Sequence, residues 1–257
     1  MICQHDGAAG EGFLRYFIGI DDTDNLESRG TGYRARMLGL AVQDAGLGSL
    51  QSVTRHQLLV HPAIRYTSHN SSACLAVHGS GSISDLEDFC ASFLKRESAE
   101  GSDAGLCVLP QERVDHGVRL FGLRAKQEVV SQADALDCAR RSGARLNGLT
   151  GDGGGIIGAL AAVGLRSTGH DGRFLWLPGL RELQGTSTAA DLWELARIEV
   201  VQSPDGAPLP PEAFVELGDW VRPVLQAGRS VLFVEPTEGD TGHWRVAARE
   251  LIKRRSE

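Results

Sequence analysis

The sequence predicts a mixed α/β fold of α+β type with a mixed sheet, in a larger unit over 13–182 and a smaller α/β unit over 183–257. Three observations carry that expectation. Short apolar runs of strand length alternate with segments whose apolar residues recur at helical spacing. The chain has 257 residues and is 42% hydrophobic, enough to bury a sizeable core. After Pro178-Gly179 the regular segments give way to short strands and turns. The boundary is therefore expected within 178–188, with a ferredoxin-like arrangement as one option for the smaller unit.

Residues 1–12 are polar and without periodicity and read as a lead-in. Phe13 to Ile20 is a nearly continuous apolar run, as a central strand covered on both faces would be. From Thr31 to Ala45 the residues Tyr33, Met37, Leu40 and Ala41 repeat at helical spacing, and Gly46 is placed to stop the helix. Leu58 to Val60 and Ala73 to Val77 are expected strands. Ser84 and Glu87 read as a capping box for a helix with Leu86, Phe89, Cys90, Phe93 and Leu94 on one face. Leu106 to Leu109 and Val118 to Leu123 are further expected strands. A helix opens at Ser131 and Asp134 and closes near Gly143, and an unusually apolar one covers Ile156 to Val163. Phe174 to Leu177 reads as the last strand of the larger unit. Beyond it the expectations are a helix over Ala189 to Ala196, a strand over Ile198 to Val201, a hairpin pairing Val231 to Val234 with Trp244 to Val246, and a short helix over Ala247 to Arg255.

Composition excludes several classes. Thirty-two glycines without a G-X-Y period mark turns and backbone-lined sites, not a fibre. No stretch approaches the ~20 apolar residues of a membrane span, and the acidic start with Asp6 and Glu11 is unlike a secretion signal, so a cytoplasmic protein with no membrane partner is expected. The five cysteines form no CxxC pair, which predicts neither a disulfide framework nor zinc. A net charge of −7 argues against broad, non-specific nucleic-acid binding. All basic side chains but Lys95, Lys126 and Lys253 are arginine, so phosphate recognition would use planar bidentate contacts.

Three segments carry chemistry. Asp21, Asp22 and Asp24 crowd three carboxylates into four positions after the first strand. Mg²⁺ with a polyphosphate would offset their repulsion, whereas a plain Asp-rich turn would cap the following helix. On an extended backbone, Asp22 and Asp24 would face one side and Asp21 the other. Gly151, Asp152, Gly153, Gly154 and Gly155 precede a helix of small residues, the form of a phosphate cradle at a helix N-terminus. No Lys-Ser or Lys-Thr follows, so this is not a Walker A loop. The polar segment His61 to Ala73 is a long connection in which Arg65 and His69 are candidate phosphate contacts.

Together the blocks Ile18-Gly19-Ile20-Asp21-Asp22-Thr23-Asp24, Arg29-Gly30-Thr31-Gly32-Tyr33, Pro62-x-Ile64-x-Tyr66 and Gly151-x-Gly153-x-Gly155-x-Ile157-Gly158-Ala159-Leu160-Ala161-Ala162-Val163-Gly164 resemble the archaeal tRNA(Ile2) 2-agmatinylcytidine synthetase family, over roughly 13–180. The resemblance implies a kinase-like ATP-binding domain that phosphorylates a carbonyl before an amine displaces the phosphate. It implies ATP and Mg²⁺ as cofactors, with Asp21, Asp22 and Asp24 as metal ligands and catalytic residues and Thr31 near the reacting phosphoryl group. Thr23, Ser68, His69, Asn70 and Gly151 to Gly155 are the implied nucleotide contacts. Two departures stand out: no counterpart of the family's OB-type domain or zinc ribbon is expected, and Thr67-Ser68-His69 stands where the family carries Lys and Arg. The expected function is thus an ATP-dependent ligase or kinase acting with an unidentified small-molecule acceptor or amine. The alternatives are a tRNA cytidine-modifying enzyme working with a partner chain and a non-catalytic nucleotide-binding module.

Overall fold

The computed structural model describes residues 14–67, 69–79, 82–237 and 242–257. The whole of the lead-in, Phe13, Ser68 and most of the 239–242 turn lie outside the described residues. The larger part runs β1 (Leu14–Asp21), α1 (Thr31–Asp44), β2 (Ser49–Gln57), β3 (Ser71–Gly79), α2 (Ile83–Glu97), β4 (Gly105–Pro110), α3 (His116–Gln127), α4 (Gln132–Ser142), β5 (Arg145–Gly148), α5 (Ile156–Thr168) and β6 (Arg173–Trp176). There follow β7 (Thr186–Thr188), α6 (Ala189–Ala196), β8 (Val200–Gln202), β9 (Phe214–Glu216), β10 (Val224–Gln226), β11 (Arg229–Pro236), β12 (His243–Val246) and α7 (Arg249–Arg255). Among its described residues this second part has five strands between two helices, not a βαββαβ order.

The fold is mixed α/β around a large mixed sheet, ordered β5-β4-β1-β3-β2-β6-β10-β11-β12-β9-β7 with β8 beside β11. The strands from β5 to β6 pair antiparallel, while β8 with β11 and β9 with β12 are parallel. β1 is central, as its continuous apolar run requires. Phe17 faces a core shared with α3, α4 and α5, and Tyr16, Ile18 and Ile20 face a second core under α1 and α2. Residues after β6 mostly build two further clusters, one of which takes Phe174 and Leu177 from the strand's vicinity. The backbone ladder nevertheless continues through β6, which pairs with β2 on one side and β10 on the other.

α5 explains its own composition. Ile156 and every residue from Gly158 to Leu165 are buried, and a helix apolar all round is one with no solvent face. It lies between β1 and α3, and small residues let the backbones touch. A Cβ on Gly19 would stand 1.9 Å from the Ala159 carbonyl oxygen, and one on Gly164 would stand 2.2 Å from that of Val118.

Several expectations need correction. Val118 to Leu123 is not a strand but the middle of α3. Val118, Phe121, Gly122 and Ala125 are buried at helical spacing while Leu120 and Leu123 are 46% and 43% exposed, so two exposed leucines gave the segment its strand-like look. β2 ends at Gln57, before the expected strand over Leu58 to Val60. Its buried face carries polar Ser52, Thr54 and His56, which concealed it. β5 is a short edge strand with mixed burial. The α2 cap is Ser82, whose hydroxyl accepts from the Asp85 N–H; Ser84 lies inside the first turn, and Glu87 accepts from Asn147 of β5 at 2.8 Å. The expected strand at Ile198 begins two residues later, at Val200. The Ser131–Asp134 capping box, the Gly143 stop and the β11–β12 hairpin form as read.

Candidate functional site

A cleft opens where the C-terminal end of β1, the lead-in to β4 and the start of α5 meet. It is lined by Asp21, Asp22, Asp24 and Thr31, by Gly154, Gly155 and Gly158, by Asp103, and by His69 and Asn70. The sheet makes the meeting inevitable: β1 and β4 are antiparallel neighbours with Asp21 opposite Gly105. Gly105 and Gly155 pass with backbones in contact, since a Cβ on Gly105 would stand 2.1 Å from the Gly155 carbonyl carbon. Gly158 leaves room for the Asp21 carboxylate, whose Oδ2 would be 1.8 Å from a Cβ at that position.

The carboxylates do not follow extended-strand alternation. Asp22 has φ +51°, a left-handed conformation that a non-glycine residue adopts at a cost, and it turns the chain sharply after β1. Burial first, then the neighbouring Asp22 and Asp24 charges, raise the Asp21 pKa to about 7. Asp22 is raised to about 6, by burial and then by Asp103 and Asp24, with Arg65 opposing.

Asp24 is engaged differently. Its Oδ1 accepts the Thr31 N–H at 3.1 Å and the Thr31 hydroxyl at 2.6 Å, and its Oδ2 accepts the Thr67 hydroxyl at 3.0 Å. Gly30, the N-cap of α1, has no side chain to offer, so Asp24 does the capping from six positions upstream. Thr31 is 7% exposed, and its oxygen also accepts from the Thr23 N–H and hydroxyl at 3.2 Å. Thr23 is wholly buried beneath the site. Among the described residues no three His, Cys, Asp or Glu side chains form a ready metal cage. Of the three carboxylates in the acidic turn, Asp24 caps a helix and Asp21 and Asp22 do not.

The glycine loop is internally bonded. Asp103 accepts the N–H of Asp152 on Oδ1 and that of Gly155 on its carbonyl, Thr150 accepts that of Gly153, and the Asp152 carboxylate accepts that of Gly154. Gly151 and Gly153 have φ +56° and +75°, which the turn needs. In this conformation the loop offers steric clearance and the helix dipole, while those amides are already satisfied. Gly154 and Gly155 line the cleft; Gly151, Asp152 and Gly153 stand behind it. Asn70 is fixed by donating to the Leu59 carbonyl at 2.6 Å, His69 is exposed at the rim, and Ser68 lies outside the described residues. Arg65, with its side chain 79% exposed, reaches Asp152 at 2.5 Å and Asp103 at 3.3 Å.

Asp103 was missed in the sequence because a lone Asp before an apolar strand carries no motif. Only the β1–β4 pairing shows that it shares the cluster.

The raised Asp21 pKa makes stability pH-dependent. The unfolded group ionises near 3.8 and the folded one near 7, so the native state holds the proton more tightly. The stability is intact below about pH 4 and declines as pH rises to 7. In chelator, Asp21→Asn is expected to raise stability at pH 8 by on the order of 2 kcal/mol relative to its effect at pH 4; equal urea midpoint shifts at both pH values would contradict the assignment.

No family model matches the sequence. Uncharacterized protein MJ0921 of Methanocaldococcus jannaschii is 33% identical over 156 residues, which is 59% of this chain and 50% of that protein. A complex of TiaS with tRNA(Ile2) and ATP matches at TM-score 0.52 and 26% identity, over 59% of this chain and 36% of that one. A tRNA fluorescent labeling enzyme matches at TM-score 0.52 and 27% identity, over 58% and 36%. A TiaS complex with tRNA(Ile2), AMPCPP and agmatine matches at TM-score 0.51 and 25% identity, over 59% and 36%. The chain thus spans half the length of its curated relative and 36% of these solved chains. Among its described residues no helix is long and apolar enough to cross a membrane. The resemblance read in the sequence blocks holds in the fold, and over 59% of its length this chain is similar to tRNA(Ile2) agmatidine synthetase.

Proposed function

We propose that the chain is an ATP- and Mg²⁺-dependent phosphoryl-transferring enzyme that activates an acceptor carbonyl or hydroxyl group for attack by an amine, with a small molecule as acceptor. The observation that supports it is one cleft joining the Asp21–Asp22 pair to the glycine-flanked start of α5, built from the blocks that carry the resemblance. The two carboxylates fit a hard cation: they repel each other, their pKa values are raised, and the nearby cation Arg65 is exposed and shared with Asp103 and Asp152. Mg²⁺ held there supplies neutralisation of phosphate oxygens.

The protein's own groups supply position. Asp24 orients the Thr31 and Thr67 hydroxyls at the cleft wall, and Gly155 and Gly158 keep side chains out of the path of a phosphate approaching the α5 dipole. Leu58, Ile64, Val130 and Ile157 give the cleft an apolar side suited to a base. In this reading 183–257 is a companion unit whose Arg222 approaches the rim of the neighbouring cleft.

The test is nucleotide product analysis with the full chain. Mg²⁺-dependent release of ADP or AMP that rises with an amine present is expected; no ATP binding with or without Mg²⁺ sinks the reading. The solved neighbours complexed with tRNA(Ile2) favour a second reading, a tRNA cytidine as acceptor. Protection of the protein from thermal unfolding by tRNA, and not by small amine acceptors, would select it.

A further inference from the structure

Beside the acidic cleft lies a second one, and the two share Asp24, Thr31, Thr67, His69 and Ser71. Its charge is opposite in sign. Arg36 of α1, Arg55 of β2, Arg181 and Arg222 converge on it from four separate segments of the chain. Arg173 of β6 stands directly across the strand pair from Arg55, and like charges in register destabilise a sheet. Among the described residues none of these five arginines forms an ion pair. Their polar contacts are to neutral groups: Arg55 to the Gln57 side chain and Arg222 to the Val221 carbonyl. Arg36 and Arg222 are steadied by the faces of Tyr33 and Trp220.

In a chain of net charge −7, five arginines that form no ion pair among the described residues, with the Glu257 carboxylate acting on Arg55 and Arg173, are not the accident of a basic surface. Arg36, Arg55, Arg173 and Arg222 are also half-buried, so water screens their repulsion only partly. Burial and the surrounding arginines hold Arg55 and Arg222 at about 10, with the Glu257 carboxylate opposing at Arg55. Ser72, on the same wall, is 1% exposed and its hydroxyl has no hydrogen-bond partner. A buried hydroxyl in that condition is short of one bond.

We infer that this cleft is a phosphate site, in which Arg36, Arg55, Arg181 and Arg222 hold the oxygens of a compact oligophosphate or terminal phosphate group at the Asp24–Thr31 border of the acidic cleft. Guanidinium groups meeting at one concavity suit several oxygens on neighbouring phosphorus atoms. A phosphodiester backbone would call for a stripe of basic residues instead. The site stands without the ATP reading; only the identity of the molecule that carries the phosphate rests on it.

Inorganic tripolyphosphate, titrated calorimetrically into the full chain without Mg²⁺ or nucleotide, is the test. Binding is expected, with the Kd raised about tenfold or more in Arg55→Gln and in Arg222→Gln, the loss of one charge-assisted contact. Asp22→Asn is expected to retain it, which separates failure here from failure of the ATP reading. Removing one of several repelling charges is expected to leave the ligand-free Tm of Arg222→Gln unchanged or higher. A lower Tm with unchanged tripolyphosphate affinity makes the arginine structural and overturns the inference. So does the absence of binding, or displacement by an oligonucleotide but not by ATP. Competition between ATP and tripolyphosphate assigns the phosphate to the nucleotide, whereas simultaneous binding assigns it to the acceptor.

Discussion

Asp22→Asn is expected to lower Mg²⁺-dependent ATP turnover by about 10²–10³-fold, the scale of removing one group that stabilises developing charge. The substitution keeps the size of the side chain and removes only its charge. Asp22 caps no helix, and its charge is opposed by Asp103 and Asp24, so the variant is expected to fold at least as stably as the parent. A drop in turnover with an equal or higher Tm is the combined signature. Full turnover in a well-folded Asp22→Asn protein would remove Asp22 from the metal assignment. Asp24→Asn provides the contrast. Asp24 accepts from Thr31 and Thr67, so its loss is expected to lower Tm as well as activity.

Gly19→Ala carries the largest expected effect on stability. The added methyl would stand 1.9 Å from the Ala159 carbonyl oxygen and 2.9 Å from its carbon. Both belong to the backbone of a helix buried on all sides, where no side-chain rotation relieves the clash. α5 would have to lift from β1, opening contacts on both its faces, at a cost of about 3 kcal/mol or more. Because α5 begins at the cleft, residual activity is expected to fall with the fold. A parental urea midpoint for Gly19→Ala would contradict the β1–α5 contact. Gly46→Ala, where a Cβ meets nothing within 4 Å but φ is +72°, provides the milder case, with a loss of about 1 kcal/mol from backbone strain alone.

The elements that local pattern identified are those whose burial follows their period. β1 reads as a central strand because both faces are covered, α4 because Ser131 and Asp134 cap each other, and α5 because its uninterrupted apolar and small residues admit no solvent face. The elements misread break that link. In α3, Leu120 and Leu123 are exposed though apolar; in β2, Ser52, Thr54 and His56 are buried though polar. His56 is satisfied there by Thr54 and by Asp171, 115 residues away, a partner that no window of neighbouring residues contains.

The site divides in the same way. Sequence alone marked the acidic turn and the glycine loop, because charge crowding and glycine spacing are local properties of adjacent residues. Their order and separation also carry the resemblance to the synthetase family. Only the tertiary structure decided what each group does there: that Asp24 caps α1, that the loop amides are turned inward, and that Asp103 joins the cluster through the β1–β4 register. The arginine cleft belongs wholly to this second kind. Its side chains come from α1, β2 and two connections of the later chain, and charges so far apart in sequence interact only once folding has brought them within a few ångströms and withdrawn the water between them.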